Sequence, residues 1–252
     1  MPFLAIGDEN IHYTDNEGPR RGACVLVHGS GGSTQAWPAE LRNLGCTGVV
    51  AVDLPGHGRS EGRGRNQVAS YVEVVDALVR ELGLSDVALF GHSLGSAVAL
   101  TVALDKSGWL GRLVLVGAGA RLRVLPAILE GILNDFDAAV EQTGRSACAP
   151  GAPDEAVAAL RESMRAAGPE VTHGDFAACD NFDVMDRLGE ITVPVLVIAG
   201  DKDILTPVKY AKFLADGLPG SRMVVMENAG HFMAMEKPVE FVETVRPFVC
   251  PE

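Results

Sequence analysis

The five residues Gly91-His92-Ser93-Leu94-Gly95 constrain this chain more than any other stretch, because of what flanks them. Residues 87–90 (VALF) predict a short buried strand, and residues 94–104 (LGSAVALTVAL) predict a helix packed nearly all round. A strand that turns at once into a helix forces the corner residue into a left-handed backbone and lifts its side chain to the top of the sheet. Glycine on either side removes the β-carbons that would clash at such a corner, and Ser96 keeps the helix approach small. The hydroxyl of Ser93 then stands in the open, and the N–H of Leu94 lies at a helix N-terminus, where negative charge is stabilised. A serine N-cap on an ordinary turn would explain Ser93 taken alone. The strand and helix around it favour the strained corner.

Further apolar runs lie at 23–27, 48–52, 112–116, 193–199 and 222–226, each short and followed by turn formers. Continuous apolar runs of this kind are the mark of parallel strands covered on both faces. Helical spacing occurs at 36–44, 66–82, between Pro207 and about 214, and at 238–248. Strands alternating with helices predict an α/β fold, a mostly parallel twisted sheet with helices on both faces. Residues 3–15 predict two antiparallel edge strands around Gly7-Asp8. Between 121 and 188 the alternation stops, leaving helical patterns at 124–142 and 154–166 around a Pro/Gly break at 150–153. This stretch predicts a helical lid inserted over the carboxyl ends of the strands, with 1–120 and 189–252 forming one core.

Composition removes several function classes. Lys and Arg number 21 against 33 Asp and Glu, a formal charge of −12 with no basic stripe, which speaks against nucleic acid and membrane surfaces as partners. The first ten residues lack a basic segment and a long apolar core, and no run approaches a membrane span, so a soluble cytoplasmic protein is expected. Five scattered cysteines without C-x-x-C spacing are expected to be reduced packing residues, neither a disulfide frame nor a metal site. The glycine-rich turn at 28–32 lacks the lysine of a phosphate-binding loop, and a dinucleotide fingerprint at 117–122 fails at Leu122. No cofactor and no metal are therefore expected. The turn at 28–32 instead suits a loop whose backbone N–H points at an oxygen bound near Ser93.

A serine hydroxyl is a poor nucleophile until a base takes its proton, and histidine suits that task near neutral pH. Of six histidines, His12 falls in the edge strands, His173 in the insertion, His28 before the glycine turn and His57 within a loop. His92 diverges from its neighbour at a sharp corner. His231 remains, in a loop directly after a strand at the sheet edge where functional loops gather. The base needs a carboxylate to fix its tautomer. The loop at 117–120 has no acid, whereas the loop after 193–199 holds both Asp201 and Asp203. Reach across to the His231 loop favours the residue deeper in the turn. Asp53 and His57, four residues apart in a turn, are expected to close their own loop.

The motifs H-G-x-G-G at 28–32, D-L-P-G-H-G-R-S at 53–60, G-H-S-L-G at 91–95, G-D-x-D-x-x-x-P at 200–207 and A-G-H-F at 229–232 occur in that order. Together they resemble the α/β-hydrolase superfamily, in particular its small capped esterase-like members, over the whole chain outside the insertion. The resemblance implies Ser93 as nucleophile, Asp203 as acid and His231 as base, with the N–H groups of Ser30 and Leu94 as oxyanion donors and a turn-closing role for Asp201. It implies a serine hydrolase that cleaves a small uncharged carboxylic ester through an acyl-enzyme. Lactonases and C–C bond hydrolases use the same triad, and some members of the superfamily are ligand receptors. A serine at position 93 disfavours dehalogenases and epoxide hydrolases, which carry aspartate there. Five arginines against eleven acids over 121–185 give a dianionic substrate little to bind. Leu125, Ile128, Leu129, Ile132, Phe136 and Met164 are candidate linings of an acyl pocket, or equally lid-to-core packing.

Overall fold

The computed structural model describes residues 2–250. Strands β1 (Phe3–Ile6) and β2 (Glu9–Asp15) form the antiparallel edge pair. There follow β3 (Cys24–Val27), the short helix α1 (Ala39–Arg42), β4 (Val49–Val52), α2 (Val68–Glu81), β5 (Val87–His92), α3 (Leu94–Leu104) and β6 (Leu110–Val116). Three helices, α4 (Pro126–Asn134), α5 (Phe136–Ala147) and α6 (Asp154–Asp180), separate β6 from β7 (Val195–Gly200). The chain closes with α7 (Val208–Gly217), β8 (Arg222–Met226), α8 (Met233–Glu236) and α9 (Pro238–Val249).

One eight-stranded sheet results, in the order β1-β2-β4-β3-β5-β6-β7-β8, and β3 to β8 run parallel. Alternate residues of each parallel strand enter different cores. Val25, Val27, Leu89 and Leu115 pack with α2, α3 and α7, while Cys24, Leu26, Phe90 and Val116 pack with α1 and α9. Both faces are covered, which is why these strands show no polar alternation. Tyr71, Val75, Leu78 and Val79 of α2 are fully buried on the first face. Burial of each aliphatic side chain contributes about 1.5–3 kcal/mol. Helix α3 buries ten residues and presents only Thr101 part-exposed, as its all-round apolar sequence predicts.

Three expectations differ from the structure. The helix expected over 36–44 shrinks to a 3-10 turn at Thr34–Ala36 and the four-residue α1, because Pro38 holds Trp37 extended and cannot continue a helix through itself. The pattern over 124–142 divides at Asp135, whose side chain accepts the Ala138 N–H at 3.1 Å and so starts α5. Beyond 166 the chain stays helical to Asp180, with a break at Gly168 (φ 82°) before Pro169.

The cysteines are a further correction. Cys46 and Cys250 form a disulfide across 204 residues, while Cys24, Cys148 and Cys179 are free and buried. The cause is tertiary: α9 lies back against α1, and Arg246 donates to the Leu44 carbonyl at 3.0 Å, which brings the end of α9 to the turn that holds Cys46. No helix among the described residues is long and apolar enough to cross a membrane. Thiol titration of the unreduced, denatured protein is expected to find the three free cysteines. Cys46→Ser is expected to lower the free energy of unfolding by about 2–4 kcal/mol in denaturant titrations. Five titratable thiols would contradict the bridge.

Candidate active site

Strand β5 ends at His92 and α3 begins at Leu94, so the whole reversal falls on Ser93, at φ 52° and ψ −115°. A non-glycine residue held there costs of order 1–3 kcal/mol and persists only where its surroundings enforce it. The enforcement is visible. Ser93 N–H donates to the Val116 carbonyl at 3.0 Å, and the Ser93 carbonyl accepts both the N–H and the hydroxyl of Ser96, at 2.8 and 2.5 Å. A β-carbon at Gly91 would collide with the Gly95 carbonyl, and one at Gly95 with the Val27 carbonyl, so both positions require glycine. The Ser93 side chain is half-buried, and its hydroxyl makes no hydrogen bond among the described residues.

His231 and Asp203 come together from neighbouring loops. His231 Nδ1 lies 2.8 Å from Asp203 Oδ2 and 3.0 Å from the Thr206 hydroxyl, which itself donates to Asp203 Oδ2 at 2.6 Å. The other oxygen of Asp203 accepts the N–H groups of Leu205 and Thr206, both at 2.8 Å. Burial alone would raise the Asp203 pKa. The charge and hydrogen bond of His231, with the bonds from Thr206, outweigh it and hold the carboxyl well below the usual range. An ionised Asp203 fixes the proton of His231 on Nδ1 and leaves Nε2 available. The His231 backbone is held as well: its N–H donates to the Ala147 carbonyl of α5 at 2.6 Å.

His92, adjacent to the serine, packs its ring on His231 with centroids 4.8 Å apart and donates from Nε2 to the His231 carbonyl at 2.9 Å. Burial, and after it the His231 charge, push its pKa down to about 3, so it stays neutral. Asp201, the second acid of the loop, accepts the Ala229 N–H at 3.3 Å and pairs with Lys202 at 2.7 Å, away from His231.

The turn after β3 brings Ser30 to the same place. Neighbouring N–H groups are engaged: that of Gly32 by the Gly29 carbonyl at 3.0 Å and that of Gly31 by Asp175 at 2.7 Å. The N–H groups of Ser30 and Leu94 make no hydrogen bond among the described residues. His28 donates to the Gly29 carbonyl at 2.8 Å and accepts the Leu54 N–H at 3.1 Å, and its pKa falls to about 4 through burial and the charge of nearby His57. Asp53 accepts the Thr34 N–H at 2.6 Å and the Arg59 N–H at 3.0 Å, closing its loop as expected. Its histidine partner, however, is His12, at 2.7 Å. His57 pairs instead with Asp175 of α6, at 2.8 Å.

Ser93, His231, Gly29 and Ser30 line one cavity of about 130 Å³. Its remaining wall is largely apolar, with Leu122, Val124, Leu160, Phe176, Leu205 and Phe232 among its side chains. Of the six apolar insertion residues singled out in the sequence, Ile128 alone lines it. Met164 and Ile132 are buried in packing, and Leu125 is 69% exposed. Arg123 is the one cation in the wall, and it lies 3.8 Å from Asp180. Thr206, His92, Asp175 and Tyr71 were not anticipated as site residues. Thr206 had a signal, since an aspartate three residues before it in a turn commonly accepts its N–H.

Residues 24–244 match the sequence profile of the Alpha/beta hydrolase family. A 2-hydroxy-6-oxo-6-phenylhexa-2,4-dienoate hydrolase of Comamonas testosteroni is 28% identical over 94% of this chain and 90% of its own. A pimeloyl-[acyl-carrier protein] methyl ester esterase of Neisseria meningitidis is 28% identical over 89% of this chain and 92% of its own. The solved structure of a thermophilic esterase superposes with a TM-score of 0.88 at 34% identity, covering 98% of this chain and 96% of the other.

The geometry separates the two acids. Asp203→Asn keeps the shape of the side chain but favours the wrong imidazole tautomer, and a loss on the order of 10⁴ in kcat is expected on the serine-protease precedent. Asp201→Asn is expected to keep kcat within about threefold, since its contacts are to Lys202 and a turn N–H. A dead, folded Asp201→Asn beside an active Asp203→Asn would reverse the assignment.

Proposed function

The chain belongs to the alpha/beta hydrolase family and is a hydrolase, and from that premise we propose that it cleaves small uncharged carboxylic esters through an acyl-enzyme on Ser93. The observation that carries this reading is the meeting of Ser93, His231 and Ser30 in the wall of one largely apolar cavity, with the N–H groups of Ser30 and of Leu94, the residue after the serine, unengaged among the described residues. His231 Nε2 takes the hydroxyl proton as Ser93 Oγ attacks the ester carbonyl. The developing oxyanion lies between the N–H groups of Ser30 and Leu94, the latter at the N-terminus of α3, where the helix dipole adds to the stabilisation. Asp203 holds the imidazolium that forms. His231 then gives its proton to the departing alcohol, takes one from water, and the resulting hydroxide releases the acid and restores Ser93.

The cavity supports the substrate class. About 130 Å³ is near the space that holds a benzene ring, which suits an acyl group of roughly six carbons or fewer. A wall with a single cation, itself beside Asp180, suits an uncharged substrate better than a dicarboxylate. Helices α4 to α6 act as a cap in this reading, since residues from all three line the cavity. A cyclic ester meets the same groups in the same order, so lactones of this size fall within the reading.

Ser93→Ala is expected to remain folded and to lose ester turnover, and a serine-directed phosphonate should add one mass increment to the parent and none to the variant. Wild-type burst kinetics in Ser93→Ala would defeat the nucleophile assignment. Multiple turnover itself excludes a receptor, which would stall after about one ligand per molecule. Across nitrophenyl esters of graded acyl length, kcat/KM is expected to peak at short chains. Leu160→Ala, which widens the cavity, should move that optimum to longer chains with the pH profile unchanged. An unchanged optimum would assign Leu160 to packing alone.

A further inference from the structure

The segment of α6 beyond Gly168 lays Thr172 and Asp175 onto the turn that carries Ser30, and both side chains are fully buried. Asp175 Oδ2 accepts the Gly31 N–H at 2.7 Å and the Nε2–H of His57 at 2.8 Å. Its Oδ1 accepts the hydroxyl of Tyr71 on α2. Tyr71 is in turn fixed from the other side, where its oxygen accepts the Arg65 N–H at 2.9 Å. His57 donates its second ring N–H to the Pro55 carbonyl at 3.1 Å, so both ring nitrogens carry hydrogen. Gly31 sits at φ 62°, and a β-carbon there would come within 2.9 Å of Met164 on the same helix.

Two peptide planes flank Ser30, and the Asp175 cluster holds the second of them. The plane carrying the Ser30 N–H is held through the Gly29 carbonyl, which accepts from His28 and from the Gly32 N–H. The next plane is held through the Gly31 N–H, and its anchor is Asp175, 144 residues further along the chain. Burying a polar cluster of this kind costs free energy that apolar packing would not. It does fix a direction, which apolar packing does not do for an N–H.

We propose that Asp175 is a positioning residue for catalysis: by gripping the Gly31 N–H while braced on His57 and Tyr71, it aims the Ser30 N–H at the oxyanion, so that the donor is competent only with α6 seated. The inference rests on the assignment of Ser30 N–H as an oxyanion donor. An oxyanion donor acts on the tetrahedral species and not on the bound ester, so its misalignment lowers kcat and leaves KM.

The test compares Asp175→Asn and Tyr71→Phe with the parent. Asparagine keeps the size of the side chain but replaces one acceptor by a donor that opposes the N–H of Gly31 or His57 or the hydroxyl of Tyr71. For folded Asp175→Asn, kcat is expected to fall on the order of 10²-fold with KM within about threefold, as for the loss of one oxyanion donor. Affinity for phenylboronic acid, which forms a tetrahedral adduct on the serine, should fall in parallel. A kcat loss below about tenfold, or a loss with unchanged boronate affinity, overturns the proposal. Should Asp175→Asn fail to fold, Tyr71→Phe decides: a parallel fall of about three- to tenfold in kcat and boronate affinity supports it, and unchanged values overturn it. A merely structural role would lower the thermal midpoint alone. Turnover that survives in Ser93→Ala, or a phosphonate adduct on another residue, would instead defeat the Ser93 reading itself, and the two failures are thereby distinct.

Discussion

The close approach of α3 to the end of β3 is the contact on which the site depends. A β-carbon at Gly95 would overlap the Val27 carbonyl and stand 2.7 Å from that of His28, so the helix starts against the backbone of the neighbouring strand with no side chain between them. Strands β3 and β5 pair directly, with Val27 opposite Gly91. The turn that follows β3 and the corner that follows β5 are therefore brought side by side. Ser30 and Ser93 accordingly line one cavity. The strain at Ser93 follows from the same approach, because the chain has a single residue in which to reverse.

Charge is distributed around that cavity by burial. Five histidines are buried, and three of them pair with aspartate: His12 with Asp53, His57 with Asp175 and His231 with Asp203. These pairs share chemistry and differ in where the second ring nitrogen goes. That of His57 donates to a carbonyl, and that of His12 is buried without a partner. Of these three paired histidines His231 alone lines the cavity, which places it to exchange a proton with a bound molecule. The remaining two, His28 and His92, have pKa values pushed down to about 4 and about 3 and serve as neutral struts beneath the turn and the His231 loop. Asp53 and Asp175 each hold a histidine and an N–H of the turn after β3. The donor loop is thus anchored in the core by one acid and to the helices between β6 and β7 by the other.

Much of this was legible in the chain because it is local. Strands covered on both faces have unbroken apolar sequences, and a corner between strand and helix has glycines at fixed offsets, so β3 to β8 and the G-x-S-x-G corner follow from short windows. Asp203 and His231 were likewise placed by loops that directly follow strands. What escaped was tertiary. The Asp175–His57 pair and the Cys46–Cys250 bridge join residues 118 and 204 positions apart, and nothing in their spacing announces them. The cavity wall stayed open between lining and packing for a related reason: helical spacing predicts that faces of α4 to α6 are buried but not whether they meet the core or the cavity. Of that set, Ile128 reached the cavity while Ile132 and Met164 went into packing.

In the proposed mechanism an oxygen bound to a tetrahedral centre on Ser93 is expected to be held by the N–H groups of Ser30 and Leu94. A crystal structure of the protein carrying a phosphonate on Ser93 tests it most directly. One phosphoryl oxygen is expected within about 2.7–3.1 Å of both nitrogens, with the alkyl group in the apolar cavity. An oxygen that points to solvent, or that is held by neither nitrogen, would contradict it.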